Sequence, residues 1–309
     1  MSAVASRRTA SWLEASARAR VAGLLDQGSF VEFLGPEQRA MSPHLRQFDL
    51  PRAFDDGVVV GRGLLGGVRV FVAAQEGRFM GGTFGEVSGA KIVGLLRAAR
   101  DRAAPSPPDA VLLLLDTGGV RLQEANAGEL AVSEIIRAIA ELRHAGLPVI
   151  ALVGGRAGAF GGGGIIAACC TALVISQHGR TSVSGPEVIE TNKGVEEFDS
   201  KDRALVWRIT GGRTRILSGA ADRYVRDEIA AFRDAAIALA GLTPPPFACE
   251  TLRAAQTRLA ARRERNGACR DATELWAGDG IDEPDQVPDL TEDAFIALLS
   301  ARSAQHDRR

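Results

Sequence analysis

The feature that most constrains this chain is the alternation of short, almost wholly apolar runs with longer stretches of helical periodicity. Residues 111–115 (VLLLL), 149–153 (VIALV) and 173–176 (LVIS) have strand length. Between them lie a helical stretch over 124–144, closed by Gly146, and a small apolar helix over 165–170. A strand with one wet face alternates in polarity, whereas a strand apolar at every position is covered on both faces. Strand, helix, strand, helix, strand in this order predicts an α/β fold around a largely parallel, buried sheet.

Upstream, residues 58–60 and 68–73 read as two strands joined by a glycine turn. That turn, Gly61-Arg-Gly-Leu-Leu-Gly66, matches the G-x-G-x-x-G pattern of dinucleotide sites, but a strand follows it where a phosphate site needs a helix N-terminus. It is read as a turn only. Ser11 and Glu14 have capping-box spacing and predict an N-terminal helix of about four turns ending near Gly28. A helix over 87–102 is expected to stop at Pro105, Pro107 and Pro108. The segment 242–247 (LTPPPF) divides a main domain over 1–240 from a helical extension over 241–309, with a basic helix at 252–265, an acidic loop and a short last helix.

The formal net charge of −1 gives no reason to expect nucleic acid or an anionic membrane as principal partner. Cys169, Cys170, Cys249 and Cys269 contain no C-x-x-C pair, so neither a disulfide framework nor a metal site is indicated, and a cytoplasmic location is expected. Arg7 and Arg8 are not followed by an apolar stretch of signal-peptide type. The uncharged stretch 157–177 approaches membrane-spanning length, yet Gly161 to Gly164 stand in succession within it. Four glycines make a poor continuous helix, so a loop, a buried helix and a strand are expected there.

Two glycine loops follow two of the buried strands: Gly118-Gly119 after 111–115, and Gly161 to Gly164 after 149–153. Ligand sites in open α/β sheets lie off this end of the strands. Glycine leaves the backbone open to close approach, and a following helix N-terminus adds positive potential. Two N–H groups aimed at one point form an oxyanion hole. Gly118 or Gly119, and Gly162 or Gly163, are the candidate catalytic donors, with Gly161 in the substrate-binding loop.

Residues 154–188 (GGRAGAFGGGGIIAACCTALVISQHGRTSVSGPEV) resemble the crotonase segment whose glycine run supplies an oxyanion-hole N–H. Segments 24–33 (LLDQGSFVEF), 79–93 (FMGGTFGEVSGAKIV), 117–125 (TGGVRLQEA) and 185–190 (GPEVIE) follow the carboxyltransferase β-subunit pattern in order. The resemblance implies an α/β, crotonase-like spiral of ββα units with peripheral helices. Crotonase hydratases carry a glutamate just after the glycine run, where this chain has Ile165; hydration needs two carboxylates, and only Glu187 is present. Bacterial acetyl-CoA carboxylase β subunits carry a four-cysteine zinc ribbon, which this sequence lacks, and their G-P-R-V-I-E reads Gly-Pro-Glu187-Val-Ile-Glu190 here. The remaining likeness is to β subunits of biotin-independent malonate decarboxylases. It implies a γ-type partner subunit and a malonyl thioester as substrate, carried on the CoA-derived prosthetic group of an acyl carrier protein or offered as malonyl-CoA, with no cofactor bound by this chain. The alternative is the β subunit of a biotin-dependent carboxylase or decarboxylase.

Several side chains near the loops are candidates for substrate binding. Arg156 and Gln123 could hold a malonyl carboxylate and Glu187 could protonate an enolate carbon, each against the plainer reading of a surface charge or cap. His44, His144 and His178 are isolated in sequence, and Cys169 and Cys170 read as small core residues. The basic helix with Arg253, Arg258, Arg262, Arg263 and Arg265 is either a solvated face or a dock for an acidic carrier. The helix after Glu124 holds Leu130, Ile135, Ile136, Ile139 and Leu142, more apolar surface than one narrow face needs, which predicts a partner.

Overall fold

A computed structural model of the chain describes residues 10–101 and 108–306, so Arg7, Arg8, Arg102, Pro105 and Pro107 lie outside the described residues. In chain order the elements are α1 (Ala17–Leu24), β1 (Val31–Glu32), β2 (Val58–Leu65), β3 (Val68–Gln75), α2 (Glu86–Arg100), β4 (Ala110–Leu115), α3 (Ala127–His144), β5 (Val149–Val153), β6 (Ala159–Phe160) and α4 (Gly162–Cys169). There follow β7 (Ala172–Ser176), β8 (Thr181–Ser182), α5 (Pro186–Lys193), α6 (Arg203–Thr210), α7 (Gly212–Leu217), β9 (Arg223–Val225) and α8 (Ile229–Ala240). The chain continues through α9 (Cys249–Asn266), α10 (Ala272–Gly278) and α11 (Glu292–His306).

Seven strands form one sheet in the order β1-β2-β3-β4-β5-β7-β9, antiparallel as far as β3 and parallel beyond it. Every residue of β4 and β5 is buried. Their alternate side chains enter two cores. Val111, Leu113, Val149 and Ala151 face α2 and α3, while Leu112, Leu114, Ile150 and Leu152 face α1 and α8. On the second face Trp12 stacks on Phe232 with centroids 4.0 Å apart.

Past each long parallel strand the chain adds a short extended segment before its helix. Phe84 bridges Val120, Thr117 bridges Ala159, and β6 pairs in parallel with β8. Strand, short strand, helix is thus repeated, and the expected ββα spiral is present. The short segments lie beyond the C-terminal ends of β3, β4, β5 and β7, where the glycine loops are.

Four local expectations are corrected. The N-terminal helix begins at Ala17, capped by Ser16, and ends at Leu24; Ser11 instead caps only the Glu14 N–H and bonds Asp227. Gly61 and Gly63 are inside β2, not in a turn, because Phe30 and Leu25 occupy the space of a Cβ; the hairpin turns at Gly66 and Gly67. Gly162, Gly163 and Gly164 form the first turn of α4 and are not loop. Val132, Thr117 and the Ser182 carbonyl fill their Cβ positions, so close packing outweighs the low helix propensity of glycine. The last helix, α11, runs for 15 residues, and its Phe295 joins Ala272, Trp276 and Val287 in a small core against α7 and Tyr224. By contrast, α9 has no buried residue.

Candidate active site

The two glycine loops meet. A Cβ on Gly161 would lie 3.4 Å from Gly119 Cα, and one on Gly119 would lie 3.7 Å from the Phe160 carbonyl oxygen. Backbone hydrogen bonds lace the loops together: Thr117 N–H donates to the Gly158 carbonyl at 2.7 Å, and Phe160 N–H donates to the Thr117 carbonyl at 3.0 Å. Gly119 (φ 127°) and Gly161 (φ 56°) hold backbone angles that L side chains rarely adopt.

The position of each N–H decides what the site can do. Gly118 N–H donates to the Gly81 carbonyl at 2.9 Å, and Gly119 N–H to Thr117 Oγ1 at 3.1 Å. Both donors expected in the first loop are therefore engaged. Val120 N–H is different. Phe84 takes up the Gly119 carbonyl and the Arg121 N–H, so the Val120 N–H faces away from that pairing and has no partner among the described residues. In the second loop, Gly162 and Gly163 open α4, and their N–H groups are likewise without a partner among the described residues. Gly163 packs against Thr117, which seats this helix N-terminus on the first loop.

Buried charges brace both loops. Asp116, at the end of β4, accepts from Arg20 Nη1 at 2.8 Å and from the Ala157 N–H at 2.7 Å. Its carboxylate fills the space that a Cβ on Gly77 or Gly155 would need, so those glycines are steric requirements. The first loop is held by Arg121, which bonds both Asp56 oxygens at 2.9 Å and Glu124 at 3.0 Å. Glu124 also accepts from Ser42 Oγ and from the Glu86 N–H. Burial alone would raise its pKa, but these donors from Ser42, Glu86 and Arg121 hold it below the ordinary carboxylate value. None of Arg20, Asp56, Asp116 or the Arg121–Glu124 pair was singled out from sequence. Asp116 carried a signal, since a charge placed directly after an all-apolar strand is buried unless it leaves the sheet at once.

Of the remaining expected site residues, Gln123 is exposed on a 3₁₀ turn (Leu122–Glu124) and Glu187 is exposed in the first turn of α5. Arg156 is exposed and pairs with Glu14 on the surface. His44 is not isolated, since it pairs with Glu86 at 2.5 Å; His144 ends α3 as expected. Burial raises the Cys169 and Cys170 pKa values, which suits small core thiols. Among the described residues no group of three or more His, Cys, Asp or Glu could hold a metal ion, and no helix is long and apolar enough to cross a membrane.

A parallel-sheet spiral of this kind, with glycine loops at the strand ends, is the architecture of the crotonase-like carboxyltransferases. The chain belongs to the carboxyl transferase domain family, whose pattern matches residues 14–248. It is 40% identical over 93% of its length, and 95% of the relative's, to malonyl-S-ACP:biotin-protein carboxyltransferase MADC of Malonomonas rubra. Against a subunit of a Pseudomonas malonate decarboxylase hetero-tetramer solved with malonate, the TM-score is 0.74 at 44% identity, covering 79% of this chain and 90% of that one. The propionyl-CoA carboxylase β chain of Saccharopolyspora erythraea is 34% identical over 58% of this chain, which spans only 31% of that protein.

Proposed function

We propose that this chain is the β subunit of a biotin-independent malonate decarboxylase, which converts a malonyl thioester on an acyl carrier protein into the acetyl thioester. The observation that carries the reading is the set of unpartnered N–H groups of Val120, Gly162 and Gly163 on two loops in backbone contact. In the reaction the bond between the α-carbon and the carboxylate breaks, CO₂ leaves, and the electron pair moves into the thioester carbonyl. The resulting enolate oxygen needs donors more than it needs a base. A donor of this kind is worth about 10²–10³ in rate. A proton then returns to the α-carbon to give the acetyl group.

Exposed apolar side chains support a second subunit at this site. Leu122, Leu130, Ile165, Val183 and Val188 are all exposed, and they sit on the first loop, α3, α4, β8's exit and α5. On α3 the residues Ile135, Ile139 and Leu142 are buried in this chain's own core, which leaves Leu130 as the outward one. A γ-type subunit covering this surface would complete the site and exclude water from it.

The Malonomonas relative favours a second reading, in which the released carboxyl group passes to a biotin protein. Both readings share the enolate step and differ in the fate of CO₂. The chain, co-purified with its partner subunit, should release CO₂ from malonyl-CoA or malonyl carrier protein without biotin, ATP or added metal. Turnover that required a biotin protein and disappeared on adding avidin would replace decarboxylation by transfer.

A further inference from the structure

Among the described residues, the three arginines that are buried outright, Arg20, Arg121 and Arg233, come with carboxylates. Arg20 contacts Asp116 at 2.8 Å, Arg121 contacts Asp56 at 2.9 Å, and Arg233 contacts Asp26 at 2.5 Å. Arg180 is half-buried and, like Arg215, has no carboxylate and an unpartnered Nε; Arg180 is the one placed beside the glycine loops. It lies in the turn between β7 and β8, where its carbonyl accepts the Ala159 N–H at 2.8 Å and its backbone bridges Gly211, so its position is set from both sides. Its guanidinium carbon lies 4.3 Å from the Trp207 ring centroid and 5.7 Å from that of Phe160, the residue immediately before Gly161. Nη2 donates to the Arg156 carbonyl, while Nε is shut off from solvent and has no partner. No carboxylate of the described residues is in salt-bridge contact with it. Asp116 and Glu187 act on its charge only through space, and Arg203, also over the Trp207 ring at 5.2 Å, adds a like charge. Burial accordingly pushes the Arg180 pKa below the usual arginine value.

A half-buried cation without a carboxylate of its own chain can take one from a ligand, as the buried arginines take theirs from this chain. We propose that Arg180 is the anchor for the free carboxylate of a dicarboxylic acyl group, with Phe160 and Trp207 holding the guanidinium beside the second glycine loop. The inference rests on the decarboxylase reading for the identity of that acyl group. It replaces Arg156, whose side chain is exposed and paired with Glu14. With Nε closed off, the Nη1–Nη2 edge is the part of the guanidinium left to meet a carboxylate, and the rings hold its plane.

The test compares malonyl-CoA with acetyl-CoA, which differ in this region only by the carboxylate, on the co-purified complex. Arg180→Met keeps an unbranched apolar stem between the two rings and removes the charge. It should weaken malonyl-CoA binding roughly ten- to a hundredfold, the range for a hydrogen bond to a charged group. Acetyl-CoA binding should be unchanged, and the ligand-free melting temperature should not fall. Arg180→Lys, which keeps charge without the fork, should fall between wild type and Arg180→Met. Equal weakening of both thioesters, with a lower melting temperature, would make Arg180 a structural residue and overturn the proposal, as would an unchanged preference for malonyl-CoA. Failure of the functional reading shows separately, as absence of CO₂ release by the wild-type complex. Calorimetric titration with the two thioesters still decides the anchor in that case.

Discussion

The two glycine loops look alike in sequence and behave differently in the fold. In the first, the glycines spend their N–H groups internally, on the Gly81 carbonyl and Thr117 Oγ1, and the open donor belongs to Val120. In the second, the glycines are themselves the open donors, because they form the first turn of a helix whose early N–H groups have no carbonyl behind them. Glycine serves the first loop through its backbone angles and the second mainly through the absence of a side chain. Gly162 sits against Val132 and Gly163 against Thr117, with no room for a methyl group. Substituting glycine therefore tests conformation in one loop and packing in the other.

The largest effect is expected at the second loop. Gly162→Pro deletes one open N–H at a helix position that tolerates proline, but its ring would strike Val132, so Val132→Ala is added to make room. Relative to Val132→Ala alone, kcat for CO₂ release should fall by about 10²–10³ while the complex stays folded. Turnover near that of Val132→Ala would end the argument that this helix start binds an enolate. Gly162→Ala is no mild control here, since its methyl group meets the same valine.

The braces of the two loops should also separate. Arg20→Met leaves Asp116 buried without its cation, which should destabilise the protein by about 3–5 kcal/mol in denaturant melts. A loss no larger than that of a surface substitution would mean the Ala157 N–H alone satisfies Asp116. On the first loop, the folded-state pKa of Glu124 is depressed, so its stabilisation is fully present above the unfolded value near 4.5 and is lost as pH falls through the lower folded value. Glu124→Gln should lower stability at neutral pH and flatten the acid side of the stability profile below that point. An acid profile parallel to wild type would place the titration elsewhere.

The smallest effect is expected at Gly118. Its φ is not in the left-handed region, and a Cβ there would be 3.8 Å from its nearest neighbour, the Gly81 carbonyl oxygen. Gly118→Ala keeps the N–H bond to Gly81 and should change stability by no more than about 0.5 kcal/mol. Turnover should follow suit. A large drop in kcat without loss of stability would show that the thioester lies against Gly118 itself, and would erase the contrast between the loops.

The sequence by itself determined the parallel sheet, because uninterrupted apolar runs can be satisfied only by cover on both faces, and β4 and β5 are buried at every position. It also located the two loops, since glycines at strand ends are visible without any partner in view. Tertiary structure alone decided which N–H groups are open. Whether Gly118 or Val120 is free depends on Gly81 and Phe84, more than 30 residues earlier in the chain, and hydrogen-bond vacancies leave no mark on local composition. The same holds for the arginines. Arg156 and Arg180 are equally plausible in a string of letters, but one is turned to Glu14 at the surface and the other lies half-buried beside Phe160 and Trp207, because burial and pairing are set by contacts that only the folded chain makes.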